Sequence, residues 1–457
     1  MMFLSIVNES FYSALLILAL IIGLGAILGR LMELIKIPSI TGYFVSGILI
    51  GLFLLSIGLE SIYESLSVLG NIALGFIVFE LGSRLHRKKL MHGFSEVIVI
   101  VLFQAVFTIG LVMALFLLFG APWEIALIIG VIAMATSPET IMVLTRKYKT
   151  KGHLTDAIMP HIGLDDIVGI VLFAVVVAIA TAVDSHSSVS TAALIWEPVL
   201  EIFGSALVGA VMGTVLAFFF NFTYKNDLDH RQYFLMSTVF AIILMTALTS
   251  HTYHFGEITF ILSPILTSMF AGIFMTNMTT KKVRKINDEV VDNFTPPFIL
   301  VFFALIGVQL VLSIESTSVA IWLLVILSIL YAIVRVIGKQ LGVFAGARVK
   351  KTPKAVVKYL VRCLLPQATV SIGMAQIVLH NDALPAYWRE VIFIVVLIAG
   401  VLYQLIGPFI SRRALIESEE IDPEQLKFFI GDKSGEHDHT HIPDSFHSEN
   451  VKKDANH

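Results

Sequence analysis

The chain has 457 residues, of which 57% are hydrophobic and only 14% charged, and its mean hydropathy is +0.87. These values exclude an ordinary water-soluble globular domain and describe a polytopic membrane protein. The net charge of -3 identifies no partner because the charges are segregated by loop, and the lone Cys363 excludes a disulfide framework or a thiolate metal cluster.

About 13 membrane spans of roughly 20 residues fit the pattern. They are residues 11–29, 38–57, 64–83, 92–119, 122–145, 154–183, 196–222, 232–250, 257–278, 293–313, 318–345, 359–380 and 389–411. The first run has no basic segment ahead of it and is followed directly by further spans, so it reads as a transmembrane helix and not as a cleaved signal peptide. Basic residues gather in alternate loops: Arg84, Arg87, Lys88 and Lys89 after the third span; Arg146, Lys147, Lys149 and Lys151 after the fifth. The same happens with Lys281, Lys282, Arg284 and Lys285 after the ninth, and with Arg348, Lys350, Lys351 and Lys354 after the eleventh. Arg389 is the exception. The positive-inside rule then puts the N-terminus outside and the C-terminus in the cytoplasm. Residues 1–413 form one transmembrane domain. Residues 414–457 are expected to be a short cytoplasmic His-rich tail, disordered beyond about Phe429 and too short for a nucleotide-binding regulatory domain. Its His437, His439, His441, His447 and His457 are irregularly spaced, so weak or incidental metal affinity is the default.

The stretch from Val131 to Asp166 concentrates the chemistry. An apolar helix arrives at Ala135 and meets Thr136, Ser137, Pro138 and Glu139 before resuming as IMVL. Proline lacks an N–H and clashes with the preceding turn, and a broken helix is tolerated in hydrocarbon only where it is buried in protein or lines a cavity. The next span carries Asp165 and Asp166 near its middle. Adjacent helical residues point about 100° apart, so one can face the break and the other a neighbouring span. Buried carboxylates are oxygen ligands for a dehydrated alkali ion and can exchange protons; the bland alternative is a structural acid pair satisfied by hydrogen bonds. Glu139 is either a third acid of the site or a partner for a base.

The twelfth span contains LLPQATVSIG, with Pro366, Gln367 and Thr369 in an apolar run. It lies seven spans after the first break and so crosses in the opposite direction, as inverted-topology halves do; two ordinary proline kinks are the alternative. Arg335 and Lys339 share one helical face of the eleventh span. Either can reach an acid on the sixth, and only the lysine can titrate. Lys339 could instead snorkel to the interface, Arg362 could reach the acids or snorkel likewise, and Glu80 suits Arg84 or Arg87. No P-loop, dinucleotide-binding glycine pattern or zinc-protease motif is present, so no enzyme activity, cofactor or ATP-driven step is expected. The expected partners are the bilayer, a monovalent cation and protons, with no nucleic acid.

Several segments together resemble the monovalent cation:proton antiporter superfamily, in particular its bacterial CPA2-like sodium/proton antiporter branch. IPSITGYFVSGILIG at 37–51, ATSPETIMVL, GLDDIVGIVLF, LLPQATVSIGMAQIV and VLYQLIGPFISRRAL are similar to segments of that family. The resemblance covers most of 11–413. It implies an all-α, inverted-repeat antiporter fold with two crossing broken helices. It also implies a homodimer with an elevator-like moving core, and exchange of Na+, K+ or Li+ for protons. It assigns Asp166 as the principal ion and proton carrier. Asp165 becomes the partner of a lysine that Lys339 fits through its G-K-x-x-G context, with Arg335 as the rival. Pro160, His161 and Glu139 depart from the family pattern. A channel-like cation pathway or a non-transporting membrane sensor is the competing reading.

Overall fold

The computed structural model describes residues 10–421 apart from 35–37, 59–61, 88–93, 137–140, 142–143, 146–147, 149, 185–190, 227–228, 256–257, 318 and 368. Its helices are α1 (Ser10–Leu34), α2 (Ser39–Ser56), α3 (Ile62–Arg84), α4 (Phe94–Leu118), α5 (Trp123–Ile132), α6 (His153–Asp184), α7 (Thr191–Lys225) and α8 (His230–Thr249). After them come α9 (Pro264–Met278), α10 (Lys281–Phe294), α11 (Pro296–Ser316), α12 (Ile321–Lys350), α13 (Lys354–Cys363), α14 (Thr369–Leu379) and α15 (Ala386–Glu417). Ten of the described helices are long and apolar enough to cross a membrane, and Trp123–Ile132, Pro264–Met278 and Val370–Leu379 are shorter apolar helices. The hydrocarbon of a bilayer offers the backbone no hydrogen-bond partner, so helices that satisfy it internally are the expected solution.

Three local features differ from the sequence expectation. The fold is not purely helical: Thr252–Phe255 (β1) and Ile258–Ile261 (β2) form an antiparallel hairpin, Thr252 opposite Ile261. The predicted ninth span begins inside this hairpin. Its first residues, ITFI, are β-branched and aromatic and suit a strand, and the helix starts only where Pro264 occupies its first turn and Ser263 Oγ caps Leu266 N–H. Second, the basic loop after that span is the amphipathic helix α10. It buries Val283, Asn287 and Val291 and exposes Lys281, Lys282 and Lys285. Third, the last helix runs past Arg413 to Glu417, and Glu420 is packed beyond it.

The helices sort into two bundles. In the first, α2 packs on α1 and α11, α3 on α9 and α11, and α7 on α9. In the second, α4 packs on α12, α5 and α6, and α15 on α12, α13 and α14. The bundles meet chiefly where α6 touches α7, and where α15 touches α2 and α11. The largest apolar core spans both. A separate cluster of Leu154, Ile158, Ile162, Tyr359, Leu360 and Ala414 fills the second bundle near its basic face.

Candidate ion site at the helix breaks

The first break comes earlier than the sequence suggests. The α5 helix stops at Ile132, Ala133 and Met134 form a turn, and Ala135 and Thr136 are outside any helix or strand. Pro138 would clash with the carbonyl four residues before it, at Met134, if the helix continued. The carbonyls freed by stopping early must find donors in a dry interior, and side chains from elsewhere supply them. Arg335 donates from Nε to Ala133 O at 2.7 Å and from Nη2 to Ala135 O at 2.8 Å. Gln367 Nε2 donates to Ile132 O at 3.1 Å and to the Tyr331 hydroxyl at 2.9 Å.

The second break separates α13 from α14, with Leu365, Pro366 and Gln367 buried and non-helical between them. Arg335 also donates from Nη1 to Leu365 O at 2.9 Å. One guanidinium therefore joins the two breaks through three carbonyls. Its planar fork of fixed donors suits this task in a way a lysine ammonium does not. Its other side lies over the Tyr403 ring at 4.8 Å, and Tyr403 in turn donates to Ala332 O at 2.6 Å. Arg335 itself is fully buried.

Asp165 and Asp166 sit about 18 Å along α6 from its start, and both are fully buried. Lys339 Nζ lies 2.8 Å from Asp165 Oδ2 and 2.6 Å from Thr136 Oγ1. The Thr136 hydroxyl donates to Asp165 Oδ2 at 2.7 Å. The Gln104 amide donates to both Asp165 oxygens, at 2.8 and 2.9 Å. Three donors on one carboxylate compensate for the water it has lost. Asp166 Oδ1 accepts from the Thr136 backbone N–H at 3.4 Å. Both acids therefore meet the break at Thr136, whereas helical spacing alone allows one of them to turn to another span.

Lys339 reaches this depth because α12 approaches α4 closely. A Cβ on Gly338 would lie 2.7 Å from Thr108 Cα, one on Gly346 would lie 2.7 Å from Ile100 Cα, and one on Gly342 would collide with Gln104 Cα. Such small-residue stripes let membrane helices pack backbone to backbone. The stripe brings Lys339 and Gln104 to the same carboxylate, that of Asp165.

The other predicted residues fall as follows. Thr136, Asp165, Asp166, Lys339, Arg335 and Gln367 are brought together. Pro366 lies in the second break, and Thr369 starts α14. Ser137, Pro138 and Glu139 lie outside the described residues, as do the tail histidines. Glu80 pairs with Arg84. Arg362 does not approach the acids; it pairs with Glu417 at 2.8 Å, because α13 ends before the break and leaves it beside the end of α15. Snorkelling of Lys339 is likewise ruled out by its burial and its two partners. Gln104 escapes the sequence reading. Its signal is a single carboxamide in an otherwise apolar span, one turn from Thr108. Tyr331 and Tyr403 give no signal beyond being aromatic.

A family model described as sodium/hydrogen exchanger, transmembrane, matches residues 16–413. The ammonium/H(+) antiporter subunit AmhT of Alkalihalophilus pseudofirmus is 26% identical over 224 residues, which cover 49% of this chain and 54% of that protein. The match thus spans about half the length of that relative. Among solved structures, the sodium proton antiporter MjNhaP1 of Methanocaldococcus jannaschii at pH 8 superposes with a TM-score of 0.68. It is 19% identical, and the match covers 89% of this chain and 99% of that one. An electron-microscopy map of MjNhaP1 gives a TM-score of 0.67 at 17% identity, with 89% and 98% covered. At these identities the likeness establishes a shared fold.

Proposed function

This chain belongs to the sodium/hydrogen exchanger family, and from that premise we propose that it is a secondary antiporter exchanging a monovalent cation, Na+ first, for protons. The observation that carries the reading is the fully buried Lys339–Asp165 pair beside Asp166 at a helix break. Burying two acids, a lysine and an arginine in a bilayer is expensive, and intramembrane charges of this kind mark ion pathways. Asp166 is the principal carrier. Its Oδ1 accepts from the Thr136 backbone N–H of the break, whereas Asp165 is engaged by Lys339, Thr136 and Gln104, so Asp166 is the acid that releases a proton and takes the dehydrated cation. Lys339 holds Asp165 and releases a second proton when the cation arrives, so exchange moves net charge. Thr136 supports both acids, while Arg335 holds the frame and keeps its proton throughout. Pro366 lies in the second break, and Thr369 opens the helix that follows it.

Thirteen crossings in two inverted halves, an outside N-terminus and a cytoplasmic basic face complete the topology. The second bundle moves against the first in alternating access, and the first forms the homodimer contact. The name of the AmhT relative makes ammonium a cation to test beside Na+, K+ and Li+.

The test is proton flux in proteoliposomes under an imposed gradient of each cation. Asp166→Asn should lower coupled flux at least 100-fold while the protein still inserts and melts cooperatively. Near-normal flux in that variant refutes the assignment of Asp166. Cation flux without obligate proton movement in the wild type refutes exchange and restores the channel reading. Flux indifferent to membrane potential refutes the two-proton stoichiometry.

A further inference from the structure

His161 is a buried titratable group with no part in the site described above. It lies on α6, one turn before Asp165 on the same helical face, and is 2% exposed. Its Nδ1 is 2.8 Å from Ala157 O. A carbonyl can only accept, so Nδ1 carries the hydrogen in the neutral ring and Nε2 presents a lone pair. That Nε2 is buried and has no hydrogen-bond partner among the described residues. A buried acceptor left so is destabilising by about 1–3 kcal/mol, and its retention points to a role beyond packing. A leucine would fill the space without that penalty. A structural histidine would have both nitrogens engaged, as His230 does with Thr223 and Asn287.

Charged groups lie on both sides of His161 along the chain and on neighbouring helices. Asp165 is one turn deeper on the same helix, and Lys339 on α12 and Glu96 at the start of α4 act on His161 electrostatically. Glu96 sits towards the basic face, where its Oε1 accepts from Thr352 Oγ1 at 2.5 Å. Asp156, exposed on the first turns of α6, lies nearer that face still. On α13, Lys354 and Lys358 are exposed and Arg362 is held by Glu417. On α15, Arg412 lies over Tyr148, and beyond that helix Glu420 is bound to the start of α6. Helices α9 and α14 carry no charged side chain.

We propose that His161 is the proton relay between the buried acid–lysine site and the basic face of the protein, with Glu96 as its outer station. This rests on the antiport reading. A proton leaving a carrier of the site forms the Nε2–H bond, and the positive charge moves with it to the imidazolium. The same Nε2–H bond then breaks, its proton passing to the Glu96 carboxylate and from there to the aqueous face, while Nδ1 keeps its hydrogen towards Ala157 O, so the neutral ring returns to its starting tautomer. Inward delivery runs the same steps in reverse. No other reactant is consumed. Imidazole suits the task because it gains and loses protons near neutral pH.

The experiment compares wild type, His161→Gln and Glu96→Gln in proteoliposomes. Cation-driven proton flux is measured while the pH on the basic face is varied from about 4 to 8.5, a window that covers the ordinary imidazole range and the region below it. His161→Gln should lose the pH-dependent limb that the wild type shows there, with maximal flux reduced at least tenfold. Glu96→Gln should keep the limb with a smaller loss of rate. Cation binding, read from the cation-induced shift in melting temperature, should change less than twofold in either. A merely structural histidine would lower the melting temperature and leave the shape of the pH profile as it was; that result overturns the relay. If His161→Gln does not insert, infrared difference spectra of ring-labelled wild-type protein decide the matter: imidazole bands that do not respond to added cation overturn it. Absence of coupled flux in the wild type defeats the antiport reading instead, and is distinguishable from both.

Discussion

Both bundles pack helices through glycines, but among the described residues only the second breaks two of them at a set of buried charges. In the first, helices touch through glycines. A Cβ on Gly47 or Gly307 would collide with the backbone at Ala304 or Phe44, tying α2 to α11. Gly82 and Gly272 do the same for α3 and α9, and Gly213 meets Ala271 O between α7 and α9. In the second bundle, two helices are broken and their loose ends are held by side chains. Among the described residues, all four fully buried charged side chains, Asp165, Asp166, Arg335 and Lys339, lie there. Unbroken helices with backbone contacts make a stiff platform with few alternatives. Broken helices pinned by polar side chains can exchange partners. The difference teaches where a change of state can be stored: in the bundle whose backbone is satisfied by side chains.

Arg335→Ala should be the most damaging single change in the second bundle. It strips the donor from three buried carbonyls at once and leaves two helix ends bare, for a loss of about 3–5 kcal/mol. The expected result is a collapse in folded yield or melting temperature. A parallel Lys339→Ala should cost less, because Thr136 and Gln104 still donate to Asp165. Repeating both in an Asp165→Ala background separates their roles. The Lys339 effect should shrink and the Arg335 effect should persist. Coupling of Asp165 to Arg335 with none to Lys339 would reverse the assignment.

Gly47→Leu tests the platform. The new side chain must part α2 from α11, and overpacking of this kind costs about 1–3 kcal/mol or more. Folded protein and flux should fall together, measured as yield, melting temperature and flux per folded molecule. A Gly47→Leu protein that folds normally but loses transport would break the comparison, because it would place function in the platform.

Much of this arrangement is legible from residue types. Two adjacent acids in the middle of an apolar span, with a Ser-Pro pair in the preceding one, are too costly in hydrocarbon to be there without a task. The glycines around Lys339 hint that it sits where helices approach. What cannot be read is the rotation of one helix against another. The spacing of Arg335 and Lys339 gives one face and no partners, so the arginine's grip on both breaks stays hidden. Gln104 is a single amide with no pattern around it. The hairpin at 252–261 is lost because a short apolar run is ambiguous between strand and helix. Helix α10 passes for a basic loop, although Val283, Asn287, Val291 and Phe294 recur at helical spacing.

The smallest effect concerns a contact that sequence spacing could not suggest, since its two sides are more than 260 residues apart. Glu420 accepts from the backbone N–H groups of Leu154 and Thr155 and from the Thr155 hydroxyl, each at 2.7 Å. Its own carbonyl accepts from Lys151 N–H at 3.0 Å. It caps the start of α6, the helix that carries both aspartates. Gly152, at φ +153°, leaves the room it needs. A carboxylate at a helix N-terminus satisfies orphan donors and complements the helix dipole. The start of α6 follows the first break in the chain, so the cap has two separable roles to test: stabilising the helix end and setting the depth of the aspartates from the basic face. Glu420→Ala should lower stability by about 1 kcal/mol, the usual value of a cap, read as a small drop in melting temperature. Glu420→Gln keeps one acceptor and should recover part of it. If the cap only stabilises, flux per folded molecule will match the wild type in both variants. If it also sets the height of α6, Glu420→Ala will weaken the apparent cation affinity from the basic face and leave that from the opposite face unchanged. The inner end of the second bundle would then be a fixed anchor against which the breaks move.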